Sequence, residues 1–144
     1  MAQSFLLVDA HNVIFALPEL AALHRQNRAA AREKLLQILE RLQDAGETRV
    51  VAVFDGATEK NPGTEFSGAA GVQVFYAQGA DAVIERLVAK YAAKHRLTVA
   101  TDDNLIRTAA IAAGASTIGV DQLFADIAES EKEVSQVLAK LRRA

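Results

Sequence analysis

The sequence is first notable for two things that it lacks. None of its 144 residues is cysteine, which excludes a disulfide scaffold, a thiolate metal site and a cysteine nucleophile. It also has no apolar stretch approaching the roughly 20 residues that a membrane-spanning helix needs. The early apolar run 5–8 ends at Asp9 and has no basic residue before it, unlike a signal peptide. We therefore expect a cytoplasmic protein with no membrane contact.

The chain also lacks an excess of positive charge. Its 16 basic and 18 acidic residues give a formal net charge of −2, so binding to a nucleic acid would have to come from a local patch or from the site itself. With 51% hydrophobic and 24% charged residues, the composition is that of a globular protein. The length predicts a single domain over residues 1–144.

Several common sequence signatures of active sites are missing as well. No Gly-Lys-Ser/Thr phosphate loop and no serine in a nucleophile elbow is present. The three histidines, His11, His24 and His95, are scattered along the sequence. We expect each of them to be structural or exposed rather than part of a metal cluster.

What the sequence does contain is an alternation of strand and helix patterns. Short apolar segments rich in β-branched or aromatic residues predict buried strands at 4–8, 50–54, 72–76, 97–101 and 116–120. Apolar residues at helical spacing lie between them, as at Leu35 and Leu39, and again from Val83 and from Leu105. This order predicts an α/β fold, in which a parallel sheet of about five strands has helices on both faces.

Two further segments are distinctive. Ser130 and Glu133 have the spacing of a capping box, which predicts a separate C-terminal helix over 131–143. Residues 56–71 hold four of the eight glycines and one of the two prolines. A connection of this length inside a compact domain is usually functional or disordered.

Carboxylates follow most of the predicted strands. Asp9 comes after the first strand, Asp55 after the second, Asp81 shortly after the third and the pair Asp102–Asp103 after the fourth. In an open parallel sheet these positions meet at one edge, where ligands bind. Their mutual repulsion would cost several kcal/mol without a cation. Oxygen ligands favour Mg²⁺ or Mn²⁺.

Each of these residues also has a purely structural interpretation. Asp81, Asp102 and Asp103 could cap helices, and Asp55 with the following glycine is a common turn dipeptide. Asn12 could hold Asp9 or a water, or cap a helix. Asp9 is harder to explain structurally, because a carboxylate directly after a buried strand is costly unless it is solvated or bound.

Basic side chains that could contact phosphates are few. Arg25, Arg28 and Arg32 have a spacing that places them along one helix face. Lys60 lies in the long segment 56–71. The alternative for the arginines is an ordinary solvated helix face.

Taken in order, several of these motifs resemble the NYN family, and in particular its YacP-like branch among the PIN-like nucleases. Residues 6–14 (Leu-Leu-Val-Asp-Ala-His-Asn-Val-Ile) are similar to the family's opening motif. Residues 51–55, 79–81 with 85–87, and 99–103 resemble the later motifs, and the likeness extends over about 4–128. The sequence departs from the usual motif at Ala10 and His11, where glycine and an aromatic residue are common, and at Asp102, where serine is more frequent.

The resemblance implies a three-layer PIN-like fold and a metal-dependent endoribonuclease that hydrolyses RNA phosphodiester bonds. It implies that Asp9, Asn12, Asp81 and Asp103 form the catalytic site, with Mg²⁺ or Mn²⁺ as cofactor. Asp55 and Asp102 are then additional candidate metal ligands. The partners would be RNA and the ribosome, since some members of this branch act on ribosome-associated messenger RNA. The alternative function is a catalytically silent RNA-binding or ribosome-docking module of the same fold.

Overall fold

A single parallel sheet forms the centre of the described structure. The computed structural model describes residues 3–56 and 71–143. Its strands are β1 (Ser4–Asp9), β2 (Arg49–Asp55), β3 (Gln73–Ala77), β4 (Arg96–Ala100) and β5 (Ser116–Ile118). They lie in the order β3-β2-β1-β4-β5, and every neighbouring pair is parallel. The predicted α/β fold is confirmed, while most of the long segment 56–71, including Lys60, lies outside the described residues.

Helices cover both faces of this sheet. They are α1 (Ala10–Ala16), α2 (Pro18–Gln26), α3 (Arg28–Asp44), α4 (Ala80–Tyr91), α5 (Asn104–Ala112) and α6 (Val120–Arg143). None of these helices is both long enough and apolar enough to cross a membrane.

The alternation of side chains along β1 divides the core into two layers. Phe5 and Leu7 pack in the cluster that contains apolar residues of α4 and α5. Leu6 and Val8 point the other way, into the cluster that contains residues of α1, α2, α3 and α6. Both faces of the central strand are therefore buried, which explains why its sequence is continuously apolar.

The C-terminal helix differs from the prediction. Residues 131–143 do not form a helix of their own, because α6 begins at Val120 and continues to Arg143. The backbone N–H of Val120 donates a hydrogen bond of 3.0 Å to Oδ1 of Asp102, so a side chain from another part of the chain caps this helix. The predicted start at Ser130 is wrong, and β5 is shorter than predicted because Val120 already belongs to α6.

The three arginines do not share a helix either. Arg25 is in the last turn of α2, whereas Arg28 and Arg32 belong to α3. Asn27 separates the two helices in an extended conformation, and its side-chain oxygen accepts a hydrogen bond of 3.1 Å from the N–H of Ala30. The prediction of one common helix face is wrong, because this asparagine is an N-cap rather than a helix-interior residue.

Loss of this cap should destabilise the protein. Asn27→Ala leaves the first amides of α3 without their acceptor, so we expect the free energy of unfolding in urea to fall by about 1 kcal/mol. Asn27→Asp should retain most of the stability. Gln37→Ala, at an exposed position inside the same helix, is the control and should change stability by less than about 0.5 kcal/mol. Equal stabilities for Asn27→Ala and Gln37→Ala would contradict the capping role.

Candidate active site at the carboxyl edge of the sheet

The strand order creates a crevice between β1 and β4. These strands are neighbours, but the helix that follows β1 packs on one face of the sheet and the helix that follows β4 packs on the other. Asp9 is the last residue of β1, and Thr101 directly follows β4. In open α/β sheets, this point of divergence at the carboxyl ends of the strands is where ligands bind.

Asp9 is the buried charge at this crevice. Only 6% of its surface is exposed, and its Oδ2 accepts a hydrogen bond of 2.8 Å from the hydroxyl of Thr101. Burial, together with smaller contributions from the negative charges of Asp81 and Asp103, raises the pKa of Asp9 to about 6. The Thr101 hydroxyl and the backbone N–H of Asn12 lower the pKa but do not offset the burial.

Thr101 connects Asp9 to the start of α5, and sequence reasoning did not single it out. This residue is fully buried, and its Oγ1 accepts a hydrogen bond of 3.0 Å from the N–H of Asp103 while it donates to Asp9. One hydroxyl thus uses both its donor and its acceptor capacity. The available signal was its position directly after an apolar strand, because a buried hydroxyl there needs polar partners.

Asp103 caps α5 and also contributes charge to the site. Its Oδ1 accepts hydrogen bonds of 2.9 and 3.1 Å from the N–H groups of Leu105 and Ile106. The capping interpretation is therefore confirmed for Asp103. Its other oxygen has no hydrogen-bond partner in the described part of the chain, and its charge is close enough to raise the pKa of Asp9. The two interpretations of this residue do not exclude each other.

Asp81 approaches the same crevice from the opposite side. It is exposed in the first turn of α4, makes no hydrogen bond with other described residues and raises the pKa of Asp9. Oδ1 of Asp55 accepts a hydrogen bond of 3.2 Å from the N–H of Gly79. Gly79 has a φ of 77°, which favours glycine. Asp55 therefore fixes the turn that presents Asp81.

Asn12 and Asp102 connect the two sides of the crevice at the level of the backbone. Oδ1 of Asn12, in α1, accepts a hydrogen bond of 2.8 Å from the N–H of Asp102. The Asp102 carboxylate is directed to the start of α6, where it caps Val120. Among the predicted site residues, Asp81 and Asp103 lie close enough to Asp9 for their charges to raise its pKa. Asn12, Asp55 and Asp102 lie around these three carboxylates and support them through hydrogen bonds.

The fit of this site to a metal depends on the number of ligands that the protein supplies. Within residues 3–56 and 71–143, no three carboxylate or imidazole groups are close enough to enclose an ion. Mg²⁺ is commonly held by one or two carboxylates, with waters and substrate phosphates completing the shell. The hard oxygen of a buried carboxylate with two like charges nearby fits that kind of binding, not a dedicated protein cage.

One cavity in the described part of the chain lies away from this edge. It has a volume of about 440 Å³ between the end of α3 and α6, and its lining includes Arg41, Leu42 and Ile127. It shares no residue with the carboxylate cluster.

Two of the histidines, which are far apart in the sequence, are neighbours in the structure. The rings of His11 and His24 lie 5.7 Å apart between centroids, because α1 and α2 pack against each other. The sequence did not predict this contact. Sequence distance was misleading, since a short break at Leu17 folds one helix back on the other.

Removal of the Asp9 charge should stabilise the metal-free protein at neutral pH. A raised pKa means that the native carboxyl binds a proton more tightly than the unfolded chain does, so the ionised form opposes folding above pH about 6. This penalty fades as the pH falls towards about 4. Asp9→Asn should therefore raise the free energy of unfolding by roughly 2–3 kcal/mol at pH ~7.5 in EDTA, and by little at pH ~4.

Urea denaturation at the two pH values measures this difference. Glu129→Gln removes an exposed charge from α6 and is the control, for which we expect no comparable pH-dependent gain. An Asp9→Asn protein that is less stable than the wild type at neutral pH would contradict the claim that the ionised Asp9 carboxylate destabilises the native state.

Comparisons with known proteins agree with this geometry. Residues 6–144 match the model of the YacP-like NYN domain. A search of curated proteins gives no match. The crystal structure of the W164L mutant of Rae1 (YacP) from Bacillus subtilis is 26% identical, with a TM-score of 0.81 over 98% of this chain and 84% of that chain. A second Rae1 (YacP) crystal structure from the same organism is 27% identical, with a TM-score of 0.77 over 96% and 81% of the two chains. The chain therefore belongs to the YacP-like NYN domain family and has its PIN-like, nuclease-like fold.

Proposed function

We propose that this protein is an endoribonuclease that uses Mg²⁺ or Mn²⁺ to hydrolyse RNA phosphodiester bonds. The observation that carries the proposal is the buried Asp9 carboxylate, which has the charges of Asp81 and Asp103 nearby at the ligand-binding edge of the sheet. A protein that keeps a repulsive set of carboxylates at this position needs a compensating cation. Membership of a nuclease-like family supports the same conclusion.

In this proposal each carboxylate has a defined task. Asp9 is the principal ligand, since the Thr101 hydroxyl holds one of its oxygens in place. Asp81 and the free oxygen of Asp103 complete the negative surface from either side. When bound, the metal ion would lower the pKa of a coordinated water and neutralise charge on the scissile phosphate. No protein nucleophile is required.

The surrounding residues act by positioning. Asn12 holds the backbone of Asp102, and this fixes the segment that carries Asp103. Asp55 fixes the turn before Asp81. We propose these residues, and Asp102 itself, as supports rather than direct metal ligands. The only side-chain oxygen of Asn12 is occupied by a hydrogen bond, and the carboxylates whose charges raise the pKa of Asp9 are Asp81 and Asp103. Outer groups of this kind typically contribute to metal affinity by orienting the ligands.

RNA must reach this acidic edge through local attraction, because a net charge of −2 gives no long-range advantage. Arg25 and Arg28 are exposed near the junction of α2 and α3, and Arg32 lies closer to the sheet. We propose that they contact the RNA backbone, with Lys60 as a further candidate. We also propose that the ribosome supplies the affinity that the free chain lacks, which implies a cytoplasmic location.

A catalytically silent RNA-binding module is the second candidate. The observation that favours it is the helix-capping and turn-fixing roles of Asp55, Asp102 and Asp103. The described residues also bring together no complete set of three metal ligands. In that case the carboxylates would serve the fold alone, and their neutralisation would leave RNA binding unchanged.

Binding of the metal ion should stabilise the native protein. A ligand that binds only the folded state raises stability by mass action and here also relieves the repulsion on Asp9. We expect millimolar Mg²⁺ to raise the melting temperature of the wild type by roughly 2–6 °C, equivalent to about 1 kcal/mol. Asp9→Asn should lose this increment, while the Glu129→Gln control should keep it. Equal responses of the wild type and Asp9→Asn would exclude Asp9 as a ligand.

Cleavage of RNA is the direct test of the proposed activity. With Mn²⁺ and a single-stranded messenger RNA, free or bound to ribosomes, the wild type should cut internally and EDTA should stop the reaction. Asp9→Asn and Asp103→Asn should each lower kcat at least about 100-fold while the proteins stay folded. Glu129→Gln should retain full activity. No cleavage in either setting, together with RNA binding that Asp103→Asn leaves unchanged, would favour the silent module.

A further inference from the structure

Three buried side-chain nitrogens lack a hydrogen-bond partner in the part of the chain that the structure describes, and all three belong to neighbouring residues. They are Nε2 of His11, Nε2 of His24 and Nε of Arg32. Nε of Arg32 carries a donor N–H, and each imidazole Nε2 is a donor in one of the two neutral tautomers and in the protonated ring. A buried donor without an acceptor typically costs about 1–3 kcal/mol. With Nε2 protonated, three such atoms in one place suit an acceptor-rich ligand.

The rings around these residues define the site. The His11 ring lies 5.7 Å from that of His24 and 6.3 Å from that of Phe54. Cζ of Arg32 lies 5.8 Å from the centroid of the same Phe54 ring. Phe54 is fully buried near the end of β2. The imidazole of His11 and the guanidinium of Arg32 therefore both pack against one fixed aromatic ring.

Arg32 is held in place by aromatic rings rather than by a carboxylate. Its Cζ also lies 5.7 Å from the centroid of Tyr76, whose ring stacks on Phe54 at 5.3 Å. A Cβ atom at Gly56 would come within 3.2 Å of the Arg32 guanidinium. Among the described residues no acidic side chain forms a salt bridge with Arg32. A guanidinium that is fixed by cation–π contact keeps its N–H groups available for an anion.

The charge around the histidines favours an anion over a metal ion. Burial is the main cause of the lowered pKa of His11; His24 and the charges of Arg32 and Arg28 lower it as well, whereas Asp55 raises it. Two permanent positive charges beside a pair of imidazoles would repel a divalent cation. The same charges, together with imidazole N–H donors, are typical of phosphate recognition.

The three nitrogens are buried, but the residues that carry them are each partly exposed and lie beside the carboxylates. Phe15 is 57% exposed, and its ring lies 5.0 Å from that of His24, so the pair approaches the surface at this point. His11 belongs to α1, which starts directly after Asp9. Asp55, whose charge acts on His11, also fixes the turn before Asp81.

We propose that His11, His24 and Arg32 bind one phosphate of the RNA backbone next to the phosphate that is cleaved. The identification of the ligand as RNA rests on the proposed function. The inference of an anion site does not, because it rests on the arrangement of His11, His24 and Arg32. The site fixes where the RNA strand enters the crevice at the carboxyl edge of the sheet. Its positive charge attracts the RNA to a crevice that is otherwise acidic. It also assigns a role to His11, at which this sequence departs from the usual family motif.

The experiment measures RNA binding in EDTA, so that cleavage cannot contribute. The probe is a fluorescent single-stranded RNA of about ten nucleotides, and a second set carries one neutral methylphosphonate linkage at each position in turn. One linkage should weaken binding to the wild type by about 5- to 10-fold, as expected for a lost charge-assisted contact. Arg32→Met should weaken binding of the unmodified RNA by a similar factor and abolish the sensitivity to that linkage.

Matched variants control for charge and for folding. Arg41→Met removes an exposed arginine from the same helix, and it should change affinity by less than about 2-fold. His24→Leu should lower the affinity, whereas His24→Gln, which retains a donor near the Nε2 position, should restore most of it. If Arg32→Met fails to fold, the difference in RNA affinity between His24→Leu and His24→Gln tests the proposal, and equal affinities would overturn it.

The outcomes separate this proposal from the nuclease proposal. Dependence of RNA binding on Arg32 and His24, without cleavage in Mn²⁺, would support the phosphate site and remove the nuclease. Cleavage with equal binding by Arg32→Met and Arg41→Met would overturn the phosphate site and leave the nuclease. Inorganic phosphate is the competitor, and tighter binding of this ion than of RNA would overturn the assignment to the RNA backbone.

Discussion

The burial of one carboxylate at the end of the central strand organises the functional edge of this protein. Asp9 is the last residue of β1, which lies between β2 and β4 and has apolar layers on both faces. Its side chain is therefore buried, and little water can solvate its charge. The hydroxyl of Thr101 compensates only part of that cost, since the pKa of Asp9 remains near 6. Asp103, which caps α5, and Asp81, which follows a fixed turn, add further negative charges near Asp9. We propose that a cation, rather than further protein groups, compensates this negative charge.

A basic and aromatic cluster lies beside this acidic one, and the two follow from the same topology. The chain leaves β1 through α1 and returns through α2 and α3 on one face of the sheet. This path brings His11, His24 and Arg32 to the end of β2, where Phe54 supports them. A substrate that carries both a reacting phosphate and flanking phosphates can use both clusters at once. This arrangement explains how a chain of net charge −2 could hold a polyanion at an acidic site.

The fold was predictable because the sequence signals were local and redundant. Each strand is a short apolar run, and β1 and β2 end in Asp9 and Asp55, so strand pattern and carboxyl edge could be found together. The start of α6 was mispredicted because it depends on a tertiary contact, the cap from Asp102. The break at Asn27 was a local signal that was missed, since asparagine is a favoured N-cap. The contact of His11 with His24 was not predicted, because it depends on how two short helices pack. Thr101 was missed because a single hydroxyl has no periodicity.

The ionisation of Asp9 is the most direct measure of the central claim. Carboxyl ¹³C NMR of the protein, with the Asp9 signal assigned by comparison with Asp9→Asn, gives its pKa with and without Mg²⁺. The account requires a pKa near 6 in the absence of the metal and a clear decrease when Mg²⁺ is added, because a bound cation favours the ionised form. A pKa close to the ordinary value of 3.8, or one that Mg²⁺ does not change, would contradict it.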